Sequence, residues 1–209
     1  VLVGAGWSDD AIVELRKALR RDDGRNAARI HGLLGLAYGR RGDAARAAVH
    51  LQQAIALDPD SAAPRASLGD ALRSQGRDAE AIAAYRAALR AEPQHRDAAN
   101  NLAWLLAAAA DPALRAPDEA LRWAGVAVAA TQRRDASLLD TLAVSLAAAG
   151  RFAEAVATRR GQEARVSGRR RRAATLAATR SPRDGASDAL PDQDRRRPGH
   201  TEAFPQNST

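Results

Sequence analysis

Two stretches of the chain repeat each other at a fixed distance. LLGLAYGRRGDAARAAVHLQQAIALDPD (Leu33–Asp60) aligns with SLGDALRSQGRDAEAIAAYRAALRAEPQ (Ser67–Gln94) at a constant offset of 34 residues. Leu34 and Gly35 correspond to Leu68 and Gly69, Gly42 to Gly76, Ala47 to Ala81, Ala54 to Ala88 and Pro59 to Pro93. A unit of this length cannot bury an apolar face by itself, so neighbouring copies must stack. Each copy has two apolar stripes at helical spacing, separated by a glycine near the end of the first, where a left-handed cap costs little. The unit therefore reads as a helical hairpin. Small residues at Gly35, Ala47, Ala54, Gly69, Ala81 and Ala88 let its helices approach, and Tyr38, Leu51, Leu72 and Tyr85 fill the remaining volume. Pro59 and Pro93 end the second helix.

Two less regular copies follow. The third opens at Asn101-Leu102-Ala103, and DPALRAPDEA (Asp111–Ala120) enlarges its internal turn, with Pro117 placed for the first position of a helix. The fourth runs through Leu139, Leu142, Ala143 and Leu146 to GRFAEA (Gly150–Ala155), close to the GRDAEA of Gly76–Ala81. Ahead of the first full copy, Ala11, Leu15 and Ala18 match the second helix of a unit whose first helix is missing, as expected of a fragment. The expected organisation is a half-repeat over 1–26, a solenoid over 27–167 with units at about 28–61, 62–95, 96–135 and 136–167, and an arginine-rich disordered tail over 168–209. After Val156 the apolar stripe fades, which reads either as a capping helix with an extension or as a shifted reading frame.

Composition agrees with helices packed at close range. Apolar residues make up 45% of the 209 residues and aromatics only 3%, and about a quarter of the chain is alanine. Without cysteine there are no disulfides, thiolate metal sites or cysteine nucleophiles. The longest apolar run, Leu102–Ala110, is about half of what a membrane span needs. The net charge of +7 is concentrated late, in SGRRRR (Ser167–Arg172) and DRRRPG (Asp194–Gly199). These runs lack interleaved aromatics for base stacking and read as a solvated tail, so nucleic-acid binding is unlikely and would involve the tail alone.

The period, the L-G-x2-Y element, the alanine followed four residues later by a large apolar residue, and the closing proline resemble the tetratricopeptide repeat. The pattern reads His31, Leu34, Gly35, Tyr38, Ala47, Leu51, Ala54, Pro59 and then Arg65, Leu68, Gly69, Leu72, Ala81, Tyr85, Ala88, Pro93. The resemblance covers about Ser8–Thr158 and departs at the family's tryptophan slot, filled here by His31, Arg65, Ala99 and Leu139. It implies an all-α, right-handed superhelical solenoid and a non-catalytic scaffold for a protein or peptide, held in the concave groove. The last two units are similar to the terminal units of bacterial multi-repeat proteins, some of which follow a glycosyltransferase or sulfatase-type domain. A regulatory or substrate-positioning appendage of such an upstream enzyme is the alternative.

Helical geometry selects the groove residues. In ANNLAWLL (Ala99–Leu106), Ala99, Leu102, Ala103 and Leu106 share the face toward the hairpin partner, while Asn100 and Trp104 point on the order of 140° away. Trp104 is then either a ligand contact or packing against a neighbouring unit. The same face carries Arg40, Asp70, Arg73 and Asp140, with Asn101 nearer the core edge; together with Asn100 and Trp104 these form the expected partner-binding set. The asparagine ladder and carboxylate clamp of some family members are not reproduced.

No chemistry is expected. VLVGAGWSD lacks the third glycine of a dinucleotide fingerprint, and no serine sits in a nucleophile elbow. The histidines His31, His50, His95 and His200 read as spread over separate units and the tail, without ligand spacing, so neither metal nor cofactor is expected.

Overall fold

The computed structural model describes residues 2–131 and 135–179. Among them are α1 (Leu2–Arg21), α2 (Ala27–Arg41), α3 (Ala44–Leu57), α4 (Ala62–Ser74), α5 (Asp78–Ala91), α6 (Arg96–Ala108), α7 (Pro117–Ala130), α8 (Ala136–Ala148) and α9 (Phe152–Thr179), with a short 3-10 turn at Pro112–Leu114 and no strand. The chain divides into a unit over Val1–Gly168 and a second over Arg169–Thr209, of which only the helical segment as far as Thr179 is described. Helix α9 thus continues past Gly168, where the sequence places the start of the tail. The later arginine run, Asp194–Gly199, lies outside the described residues.

Turn chemistry sets the hairpins. Gly42, Gly76 and Gly150 all take positive φ, at 86°, 73° and 76°. The residue after each donates its N–H back to a carbonyl five positions earlier: Asp43 to Tyr38 at 2.9 Å, Arg77 to Leu72 at 3.0 Å and Arg151 to Leu146 at 2.8 Å. This closure satisfies carbonyls the helix end leaves open and turns the chain within three residues. Asp43 then caps α3 by accepting from the Arg46 N–H, and Asp135 caps α8 by accepting from Ser137. The third hairpin has no such glycine. Its connection runs over residues 109–116, with the Ala116 N–H returning to Leu106 O at 2.9 Å and Pro117 opening α7.

Packing follows the period. Helices pair as α2 with α3, α4 with α5 and α6 with α7, and the first helices of successive hairpins lie beside one another, α2 by α4, α4 by α6 and α6 by α8. The Val1–Gly168 unit is a helical solenoid. Its core is lined by small residues, with Ala47, Ala54, Ala81, Ala88, Ala99, Ala120, Ala124 and Ala127 buried beneath Leu34, Leu51, Leu102 and Leu106. Successive second helices are also tied on the outside, where Arg86 holds Glu119 through two bonds of 3.0 and 2.6 Å and Trp123 donates to the same carboxylate at 3.3 Å. That Arg86 contact is the main cause of the lowered Glu119 pKa.

Two glycines show where the helices touch. A Cβ on Gly35 would strike Leu51, and one on Gly69 would stand 2.5 Å from the Tyr85 ring. Gly125, on the exposed side of α7, has nothing within 4 Å of such an atom. Gly125→Ala is therefore expected to raise stability by about 1 kcal/mol through helix propensity. Gly69→Ala should lower it by about 1–3 kcal/mol through overpacking. Urea unfolding followed by circular dichroism checks both; a stabilising Gly69→Ala would mean that the Tyr85 ring can withdraw.

Candidate functional site

The face made by the first helices carries two clefts. The larger, about 530 Å³, lies between α2 and α4. It is lined by Ala28, Gly32, Leu33, Leu36, Ala63 and Pro64, together with the polar Arg25, Arg29, Asp58, Ser61 and Ser67. Leu33 and Leu36 are each 44% exposed, an apolar pair one helical turn apart and off the core stripe. None of these residues belongs to the partner-binding set expected from the sequence. Leu33 and Leu36 at a three-residue spacing opposite small residues were the available signal.

The second cleft, about 190 Å³, joins three hairpins. Arg73 comes from α4, Asn100, Asn101 and Trp104 from α6, and Ser137 and Thr141 from α8. Four of the expected groove residues thus share one site. Trp104 is 43% exposed while its neighbours Ala103 and Leu105 are buried, so its indole forms a wall of the cleft. Asn100 donates from Nδ2 to Asn101 Oδ1 at 3.3 Å, but its own Oδ1 is buried and has no hydrogen-bond partner among the described residues. An unpaired buried acceptor is costly.

Asp70, also in the expected set, is bonded within the chain. The missing Cβ of Gly69 lets the Tyr85 ring cross from α5 beneath α4, and the phenol emerges to donate to Asp70 Oδ1 at 2.5 Å. The same oxygen accepts from Asn101 Nδ2 at 2.8 Å. Asp70 therefore links the core to the cleft and orients Asn101. Burial first, and then the Asp70 carboxylate, push the Tyr85 hydroxyl well above its ordinary pKa, so it stays protonated and donating.

The two remaining expected residues lie elsewhere. Arg40 is exposed near the end of α2 and lines neither cleft. Asp140 opens onto a separate hollow with Arg159, Gln162 and Glu163 of α9. The histidines are not spread as the sequence reading has them: His31 on α2 and His50 on α3 meet within one hairpin, Nδ1 to Nδ1 at 3.0 Å. His95 is a helix cap, accepting from the Ala98 N–H at 3.3 Å, and His200 lies outside the described residues. Among the described residues no group of three or more His, Asp or Glu side chains could hold a metal ion, and no helix is long and apolar enough to cross a membrane.

Comparison with known proteins agrees with this architecture. A family model described as tetratricopeptide repeat matches residues 1–62 and 33–95. No curated protein matches the chain. Among solved structures, MamA is similar with a TM-score of 0.66 at 20% identity, over 79% of this chain and 92% of that one. BtubC from P. vanneervenii is similar with a TM-score of 0.65 at 22% identity, over 90% and 82%. Pseudomonas aeruginosa PilF is similar with a TM-score of 0.56 at 23% identity, over 68% and 62%. At these identities the likeness is one of fold. With the 34-residue period, the glycine-closed hairpins and the family match together, the chain contains tetratricopeptide repeats, matched over residues 1–95.

Proposed function

We propose that this chain is a non-catalytic scaffold that binds a segment of a partner protein along the face made by α2, α4, α6 and α8. The observation that carries the reading is the pairing, in one cleft, of a half-exposed Trp104 with the buried and unpaired Oδ1 of Asn100. An aromatic wall beside an unpaired amide suits a peptide, which offers a side chain to the first and, once the Asn100 amide turns toward the cleft, a backbone N–H to the second. Arg73 lies across the same cleft and can donate to a peptide carbonyl or carboxylate. Toward α2 the face becomes apolar at Leu33, Leu36 and Pro64, so the bound segment is expected to be apolar at one end and polar at the other.

Peptides selected from a displayed library on the full chain provide the probe. Leu36→Asp, in the larger cleft, should weaken them at least about tenfold by setting a charge on the apolar wall. Val49→Asp, on the 57% exposed Val49 of α3 outside both clefts, should leave affinity unchanged. The reverse order would place binding on another surface.

A further inference from the structure

One polar contact between helices that the proposed function does not use is the meeting of His31 and His50. Their Nδ1 atoms are 3.0 Å apart and their ring centroids 5.2 Å apart, nearly the widest separation that such a nitrogen contact permits. The two lone-pair directions therefore run almost head to head. A metal ion needs about 2.0–2.1 Å to each imidazole nitrogen and does not fit on that line. A proton does: the contact requires one nitrogen with hydrogen and one without.

The surroundings hold this pair in place and oppose a second proton. His50 stacks on the buried Tyr38 ring with centroids 5.4 Å apart and planes 5° from parallel. Arg46 of α3, paired with Asp43 at 3.1 Å, lies 5.8 Å from the centre of the same Tyr38 ring. From α1, Arg16 adds positive charge toward His50, and among the described residues no carboxylate bonds to either imidazole. Helix α1 packs on this end through Ile12, Leu15 and Leu19, and the ion pair it makes with α2, Arg41–Asp9 at 3.1 Å, is exposed and weak.

We propose that His31 and His50 form a shared-proton latch that keeps α1, α2 and α3 together at neutral pH and opens this end of the solenoid in mild acid. With both rings neutral one Nδ1 carries hydrogen. A first added proton on the Nε2 of that donor ring leaves the contact intact, whereas a second puts hydrogen on both Nδ1 atoms, abolishes the contact and leaves two imidazolium rings beside Arg16 without a counter-charge. Burial first, and then His31 and Arg16, hold His50 below the ordinary histidine pKa in the folded state. The unfolded state therefore takes up protons first as pH falls. Stability from the latch is full above about pH 6.5 and declines below it toward the folded value.

Amide hydrogen exchange of the full chain by NMR, corrected for intrinsic pH dependence, tests this. The reporters are α1–α3 against α5 and α7, because the His95 cap on α6 also titrates. Between about pH 7.5 and about pH 5, exchange in α1–α3 should accelerate at least about tenfold relative to α5 and α7. Imidazole nitrogen shifts should show one ring of the pair carrying Nδ1–H at neutral pH and a second protonation well below the ordinary value. His50→Gln, which keeps a hydrogen-bonding group but takes up no proton, should remove the acid effect. An unchanged exchange ratio in the parent chain, two rings titrating independently near the ordinary value, or full acid sensitivity in His50→Gln would each overturn the proposal. If His50→Gln does not fold at neutral pH, His31→Gln replaces it, and the imidazole titration of the parent chain still decides.

Discussion

Tyr85→Ala is expected to destabilise the solenoid by about 3–5 kcal/mol, as the loss of a buried aromatic does. Tyr85 is fully buried, its ring fills the space left by the absent Cβ of Gly69, and its hydroxyl holds Asp70. The substitution therefore empties a cavity and removes a hydrogen bond together. Because solenoid stability is a sum of neighbouring interfaces, the loss is felt first where α4 and α5 meet their neighbours. Tyr85→Phe should cost only about 1 kcal/mol, the worth of a net hydrogen bond. It should still loosen Asn101, since Asp70 then has one anchor fewer. Urea unfolding of the two variants measures both losses, and a Tyr85→Ala cost near that of Tyr85→Phe would show that the hairpin closes over the gap. The raised pKa of Tyr85 adds a pH dependence of definite sign. The folded state keeps a proton that the unfolded state gives up, so this contribution is present below about pH 10 and lost as pH rises above it.

The residues that follow from a repeat are legible in a sequence, and those that join two repeats are much less so. The 34-residue offset locates Gly42 and Gly76, and both take the left-handed conformation that ends their helices. Periodicity within ANNLAWLL (Ala99–Leu106) assigns Ala99, Leu102, Ala103 and Leu106 to the core, where all four are buried, and turns Trp104 outward. The long third turn and Pro117 at the start of α7 are legible for the same local reasons. Periodicity gives a face and not a neighbour. The route from Tyr85 through Asp70 to Asn101 depends on a phenol passing beneath α4, so the bonds that Asp70 makes within the chain are not legible in the sequence. His31 and His50 are 19 residues apart on different helices, and nothing in either helix announces their meeting. Asp140 lies on the expected helix face, but α9 stands beside it and gives it a separate hollow. Leu33 and Pro64 escape notice because their cleft arises from the relative placement of two hairpins.

Trp104→Ala is expected to weaken binding of a groove peptide by about 2 kcal/mol, or roughly thirtyfold in Kd, as removal of an aromatic anchor does. Its cost in stability should be smaller than that of Tyr85→Ala. A fully buried indole would cost about 3–5 kcal/mol; Trp104 is 43% exposed and gives up correspondingly less apolar burial. Asn100→Ala should share the loss of affinity if its buried Oδ1 accepts from the peptide backbone. The most direct measurement is the affinity of library-selected peptides for the parent chain, Trp104→Ala and Val49→Asp, each shown by circular dichroism to be folded, with the indole N–H signals of Trp104 and Trp123 followed by NMR. The account predicts a shift of the Trp104 signal alone, a roughly thirtyfold loss in Trp104→Ala and none in Val49→Asp. Peptides that bind the folded Trp104→Ala protein as tightly as the parent, with the Trp104 signal unmoved, would contradict it.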